Sequence, residues 1–271
     1  MIRQKKLTLP YLLWLGVFIL VPLLLIIYYS MVDQQGHFTI ANYRMFFDPI
    51  YLRILGSSLY AAFICTVICL CAGYPAAMIL STKEWSRTTA WTLLFVIPMW
   101  MNFLLRTYAW LVLLETNGLI NQLFRLLGLP GMQMLYTDQA VILGMVYNFL
   151  PFMVFPIYSV LVKIDHHLIE AAQDLGANKS SVFWKVTFPL SVPGVLSGVT
   201  MVFMPAVTTF VISRLLGGGD HMLIGNLIEQ QFTFTGNWNF GSAISVIMMI
   251  FILSGMAFMY KDNTGKGGGL L

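Results

Sequence analysis

Charge is scarce in this 271-residue chain. Asp, Glu, Lys and Arg make up 10% of it and hydrophobic residues 58%, whereas a soluble globular domain carries about 25% charged residues. The scarcity is also uneven. Six stretches hold no charged residue at all: 7–32, 54–82, 88–105, 139–162, 186–213 and 230–260, with lengths of 26, 29, 18, 24, 28 and 31. The next longest, 126–137, has only 12. A helix needs about 20 apolar residues to cross roughly 30 Å of hydrocarbon, so the six long gaps can span a bilayer and the others cannot. Transmembrane β-strands would show segments of about ten residues with alternating polarity, and these runs are continuously apolar. The expected fold is therefore an all-α integral membrane protein with six transmembrane helices. It forms a single transmembrane domain over 1–271, with spans at about 8–30, 56–81, 89–113, 139–162, 189–212 and 239–260.

Other absences narrow the function. The three cysteines, Cys65, Cys69 and Cys71, all sit in the second span. Cys65 and Cys69 share a helical face at i, i+4, but packing is the plainer reading than a metal or a disulfide. There is no phosphate-binding Gly-x-x-x-x-Gly-Lys-Ser/Thr: Gly265-Lys266 lacks both the upstream glycine and the following hydroxyl, so this chain should not itself hydrolyse ATP. His-Glu-x-x-His is absent, and the adjacent His166 and His167 face different sides of a helix, so no metal site is expected. Without a nucleophile–base pair or a metal constellation the chain does not read as an enzyme, and no cofactor of its own is implied. All eleven acidic residues lie outside the six gaps. An ion-coupled secondary transporter or a channel, the rival reading, would need an intramembrane carboxylate.

Six spans put both termini on one side, and the basic residues choose that side. Arg3, Lys5, Lys6, Lys83, Arg87, Lys163, Lys179, Lys185, Lys261 and Lys266 share the terminal side, against Arg44, Arg53, Arg106, Arg125 and Arg214 on the other. That ten-to-five split places both termini in the cytoplasm, because cytoplasmic loops carry the excess of Lys and Arg. The net charge of +4 is then largely a matter of topology and implies no nucleic-acid partner; the partner it does imply is the lipid bilayer. The first run follows a basic Arg3-Lys5-Lys6 segment but is too long for a signal peptide. It closes on Tyr28-Tyr29 without a small-x-small site, so it reads as an uncleaved first helix. On the outer side, Leu119, Ile120, Leu123, Leu126 and Leu127 fall on one stripe of a short interfacial helix. Prolines and glycines recur within the spans, and the Gly-rich segment 265–269 reads as a flexible tail.

The inner segment between the fourth and fifth spans, 163–188, carries most of the information. It reads as a helix, a turn and a second helix. Asp165 can cap the first helix, Glu170-Ala171-Ala172 are good helix formers in its middle, and Gly176 can supply the left-handed C-terminal residue. Asn178 or Ser180 can cap a second short helix ending before Pro189. A structured inner loop in a chain whose other inner loops are short suggests a dock for a cytoplasmic partner: the two alanines allow close approach and the carboxylate sets register.

Glu170-Ala171-Ala172-x-Asp174-Leu175-Gly176-Ala177 with Phe188-Pro189 downstream resembles the EAA loop of the inner-membrane permease subunits of bacterial ABC importers. The resemblance implies that this loop is a coupling helix docking into an ATPase subunit, with Glu170, Ala171, Ala172, Asp174 and Gly176 as coupling residues. Further motifs, among them Tyr74-Pro75-Ala76-Ala77, Leu105-Arg106-Thr107-Tyr108, Leu150-Pro151-Phe152 and Gly225-Asn226-x-Ile228, are similar to the spermidine/putrescine permeases of that class; permeases for other small solutes share several of them. What the resemblance implies is a second, homologous permease subunit, an ABC ATPase dimer holding ATP and Mg, an extracellular solute-binding protein, and a polyamine solute. A polyamine pathway should offer aromatic faces and hydroxyls, which makes Trp100, Tyr108, Tyr147, Phe210 and Ser213 pathway candidates. Arg106 joins them as an arginine at membrane depth, with snorkelling to the outer surface as the alternative.

Overall fold

The computed structural model describes residues 10–82, 97, 99–219 and 221–266, with side chains to residue 257. Among these residues the chain is helical, with no β-strand and one isolated antiparallel bridge, Val32 to Phe38. The helices are α1 (Pro10–Ser30), α2 (Ala41–Phe46), α3 (Pro49–Leu80), α4 (Phe103–Leu114), α5 (Leu119–Leu126), α6 (Asp138–Leu161), α7 (His166–Asp174), α8 (Lys179–Thr208), α9 (Val211–Leu216), α10 (Ile224–Thr233) and α11 (Trp238–Lys266). Five are long and apolar enough to cross a membrane: α1, α3, α6, α8 and the Trp238–Ala257 part of α11. The start of the expected third span, 89–96 and Pro98, lies outside the described residues, as does 83–88 before it. Its far end is α4, whose first turn is capped by Asn102 Oδ1 accepting from Leu104 N at 2.8 Å.

Expected boundaries differ from the structure: α3 begins at Pro49 rather than 56 and α11 runs on to Lys266 rather than 260, and the fifth span differs at both ends. The short second helix of the 163–188 segment does not stop before Pro189. It runs on through a π-helical turn, Phe183–Thr187, into α8, and Pro189 is tolerated because it falls at the second position after that turn, where its missing N–H breaks no α-helical bond. At the other end α8 stops at Thr208 rather than 212. Thr209 is extended (ψ 140°), and the Asn226 side chain draws the chain into the break by donating to Phe210 O at 2.9 Å.

The residues divide into two compact units, Met1–Leu55 with Leu227–Gly255, and Gly56–Asn226 with Met256–Leu271. In the first, the C-terminal carbonyls of α1, which have no helical partner, are taken up by side chains. Asn239 Nδ2 donates to Tyr29 O (3.2 Å) and Asn42 Nδ2 to Ser30 O (3.3 Å), and both also reach Val32 O just beyond the helix (2.8 and 2.9 Å). The Tyr51 and Phe240 rings meet at a tilt, with centroids 4.9 Å apart.

In the second unit the helices meet at glycines. A Cβ on Gly194 would stand 2.9 Å from Pro156 O and 3.1 Å from Ile157 Cα. One on Gly198 would stand 2.8 Å from Met153 Sδ, and one on Gly73 3.0 Å from Met153 Cγ. At Gly194 and Gly198 only hydrogen fits, so α8 approaches α6 at backbone distance, while Gly73 lets α3 lie against the Met153 side chain. Helices in a bilayer associate in this way, since burial from lipid provides no hydrophobic drive. Met145, Met153, Val154, Ile157 and Val202 fill the resulting core and are fully buried.

Candidate functional site

The segment joining α6 to α8 begins with a well-formed helix. Asp165 Oδ1 accepts from His167 N at 3.0 Å and so caps α7. Gly176 closes the helix at φ +85°, with Gly176 N bonding Gln173 O (2.8 Å) and Ala177 N reaching back to Ala172 O (3.1 Å). That six-to-one bond with a left-handed glycine is the Schellman arrangement. Asn178 Oδ1 then accepts from Ser181 N at 2.8 Å and starts the next helix.

Both ends of α7 are secured locally, yet the helix buries no residue. An isolated helix of this length is marginal in water, and the exposed His167–Glu170 pair at 3.3 Å adds little. Glu170, Ala171, Asp174 and Gly176 are exposed and Ala172 is half-buried. Leu168 lies on the same apolar edge as Leu175, which is 89% exposed. The five sequence-derived coupling residues thus share one short, solvent-facing element whose apolar edge is uncovered by the chain itself.

Beyond it, the π-helical turn carries an aromatic cluster. Phe183, Trp184 and Phe188 lie 5.0–6.1 Å apart between ring centroids, and Tyr74 of α3 meets Phe183 edge-on at 5.8 Å and Phe188 at 5.9 Å. Ser191 Oγ gives its one proton to Phe188 O at 2.9 Å. The Tyr74 hydroxyl, 2.8 Å from the same Oγ, is therefore the donor of their shared bond. Tyr74 entered the sequence reading only as part of a motif, and Ser191 did not enter it at all; neither carries a local pattern that announces a contact between them.

The pathway candidates do not gather at one point. α4 packs against α6 and α9 through Phe103, Arg106, Thr107, Trp110, Leu111 and Leu114, its less exposed stripe. Arg106 lies in the middle of that stripe and is 6% exposed, so it does not snorkel outward, and its Nε and Nη1 have no hydrogen-bond partner. Tyr147 of α6 makes an edge contact with Trp110, centroids 5.3 Å apart. Ser213 of α9 is buried and bonded to Asn226 Oδ1. Tyr108 faces away from this stripe and is exposed, as are Trp100 ahead of α4 and Phe210 at the break after α8. Among the described residues no group of three His, Cys, Asp or Glu side chains could hold a metal ion.

Over residues 5–261 the sequence matches the family model described as binding-protein-dependent transport system inner membrane component. The chain belongs to this family. It is a membrane-embedded permease subunit of an ABC importer, a transport component of the inner membrane. Among curated proteins it is 37% identical over 258 residues to the spermidine/putrescine transport system permease protein PotB of Haemophilus influenzae, covering 92% of this chain and 90% of that one. It is 38% identical over 245 residues to PotB of Escherichia coli, covering 88% and 89%. The permease fold also aligns with a bacterial ABC transporter involved in the import of the acidic polysaccharide alginate (TM-score 0.80, 15% identity, 95% of each chain). A second solved structure, the MetNI methionine ABC transporter in inward-facing conformations, aligns less fully (TM-score 0.58, 17% identity, 78% of this chain and 93% of that one). At these identities the structural likeness speaks for the fold.

Proposed function

We propose that this permease forms one half of the membrane pathway of an ATP-driven polyamine importer, with spermidine or putrescine as solute. The observation that carries the reading is the identity of 37% across nearly the whole chain with a spermidine/putrescine permease protein. The site chemistry agrees with it. The one arginine at membrane depth is buried within the protein, and aromatic faces at Trp100 and Tyr108 are left exposed. A polycation then meets rings that attract it at these positions, whereas Arg214 of α9 is exposed and would be a poor contact for it. With no carboxylate in the six uncharged stretches, the pathway holds the cation weakly, and selection falls to the solute-binding protein.

In this reading the chain crosses the membrane six times. The third crossing is the uncharged stretch 88–105 continued by α4, and both termini and the 163–188 segment are cytoplasmic. α7 is the coupling helix, with Glu170, Ala171, Ala172, Asp174 and Gly176 seated in an ATPase subunit. A second, homologous permease completes the pathway. ATP and Mg bind on the ATPase dimer, and this chain contributes no covalent chemistry. ATPase closure carries the docked α7 with it as a rigid body, and the pathway opens outward to receive solute from the binding protein.

The test is uptake of labelled spermidine and putrescine into proteoliposomes holding the assembled complex, with molybdate, thiosulfate and a phosphonate as competitors. Uptake dependent on ATP and on the binding protein is expected. Import of an anion without polyamine uptake would refute the solute and leave the permease assignment standing.

A further inference from the structure

A push on α7 moves solute only if it reaches helices that cross the membrane, and α7 meets the first turns of α8 without burying a residue of its own. The first firm hold comes in the π-helical turn Phe183–Thr187. Residues five apart do not face each other on an α-helix, where they lie roughly 140° apart, but they do on a π-helix, whose hydrogen bonds run i to i+5. The turn therefore brings Phe183 and Phe188 onto one side, centroids 6.1 Å apart, and both clasp the ring of Tyr74. One turn on, Ser191 receives the Tyr74 hydroxyl at 2.8 Å. Tyr74 is buried and sits between two breaks in α3's regularity. Gly73 lets α3 lie against Met153 of α6, and Pro75 removes one bond from the α3 ladder.

From this geometry we infer that Tyr74 is the positioning residue through which displacement of the 163–188 segment is passed to α3, and with it to the glycine-packed block of α3, α6 and α8. The inference rests on the coupling role proposed for α7. Tyr74 touches neither solute nor ATPase; it fixes the register between the π-helical turn and α3. If its hydroxyl bond is removed, the two elements can slip, so that ATP is consumed without a full excursion of the pathway.

The experiment uses the complete transporter in proteoliposomes and reads solute imported per ATP hydrolysed, alongside ATPase co-purification, for wild type, Glu170→Ala, Tyr74→Phe, Ser191→Ala and the Tyr74→Phe/Ser191→Ala double variant. Tyr74→Phe keeps the ring clasp and loses only the bond. We expect normal ATPase co-purification with solute per ATP lowered about five-fold, the factor to which a net hydrogen bond of about 1 kcal/mol converts. Ser191→Ala should show the same loss, and the double variant should be no worse than either single one. Should Tyr74→Phe reduce the amount of assembled complex, Ser191→Ala reads the same bond from its other end. A wild-type ratio in Tyr74→Phe and Ser191→Ala with failed transport in Glu170→Ala would overturn the relay and leave the coupling helix. Wild-type behaviour in all of them would overturn both, and additive losses in the double variant would overturn the relay.

Discussion

Replacing Gly194 by alanine sets two effects of similar size against each other. In an exposed helix the change is favourable by about 0.8–1.0 kcal/mol, because glycine has more backbone freedom to lose. At Gly194 the new methyl would stand 2.9 Å from Pro156 O, 3.0 Å from Val160 Cγ2 and 3.1 Å from Ile157 Cα, where ordinary contact begins at 3.4 Å. Two of these three atoms are backbone and cannot rotate away, so α6 and α8 must part by about half an ångström, and overpacking of this kind costs about 1–3 kcal/mol. The packing loss outweighs the propensity gain by about 1 kcal/mol, or roughly 2–4 °C in unfolding midpoint for a protein of this size. Gly56 in α3 is the control, since a Cβ there meets nothing within 4 Å, and Gly56→Ala should be neutral or raise the midpoint. Thermal unfolding of the detergent-solubilised protein, followed by loss of the monodisperse chromatographic peak, measures both. A midpoint raised equally by the two substitutions would show that α6 and α8 are not in backbone contact at Gly194.

Gly176→Val places a β-branched residue at φ +85°, a conformation costing such a side chain of order 1–3 kcal/mol. Transport should be lost while the protein remains in the membrane, with Glu170→Ala giving a milder loss; uptake beside immunodetection of membrane fractions checks both. In the 33–37 turn, backbone N–H groups of His37 and then Gln35, aided by the nearby His37 ring, hold the Asp33 carboxyl below its ordinary value of 3.8. Because the folded value is the lower one, the turn keeps this stabilisation above pH 3.8 and loses it as pH falls through the folded value. Amide exchange at His37, corrected for its intrinsic rate, should therefore stay slow down to the ordinary carboxylate range and quicken only below it; quickening already at pH 5 would contradict the assignment.

The helical, membrane-spanning character was legible because charge exclusion is a property of single residues, counted without knowing what touches what. Helix ends at Asp165, Gly176 and Asn178 were legible for a related reason: caps are local chemistry within four residues. What escaped depends on partners distant in sequence. The break after Thr208 follows from Asn226, and the continuation of the helix through Pro189 follows from a π-helical turn that no periodicity reports. Gly194 and Gly198 do carry a signal, the Gly-x-x-x-Gly spacing of closely packed membrane helices, and it would have pointed to the α6–α8 contact. The Tyr74–Ser191 bond had none, since a tyrosine and a serine in two apolar runs satisfy any number of arrangements. Arg106 could be placed at depth from sequence, but its burial on the inward stripe of α4 depends on how that helix is turned against α6 and α9.

The contrast between α1 and α6 bears on how the chain is assembled. The apolar window of α1 has 0% of its residues buried inside the protein, while that of α6 has 56%. The apolar body of α1 therefore draws little from packing within this chain, whose contacts with it lie at its C-terminal end, where Asn42 and Asn239 bond Ser30 O and Tyr29 O. α6 carries Pro151 and Pro156, whose missing N–H groups leave carbonyls unsatisfied until neighbouring helices close around them. Its lasting place in the bilayer has to wait for α8, which is synthesised later, so between those two moments α6 is more exposed to membrane quality control than α1.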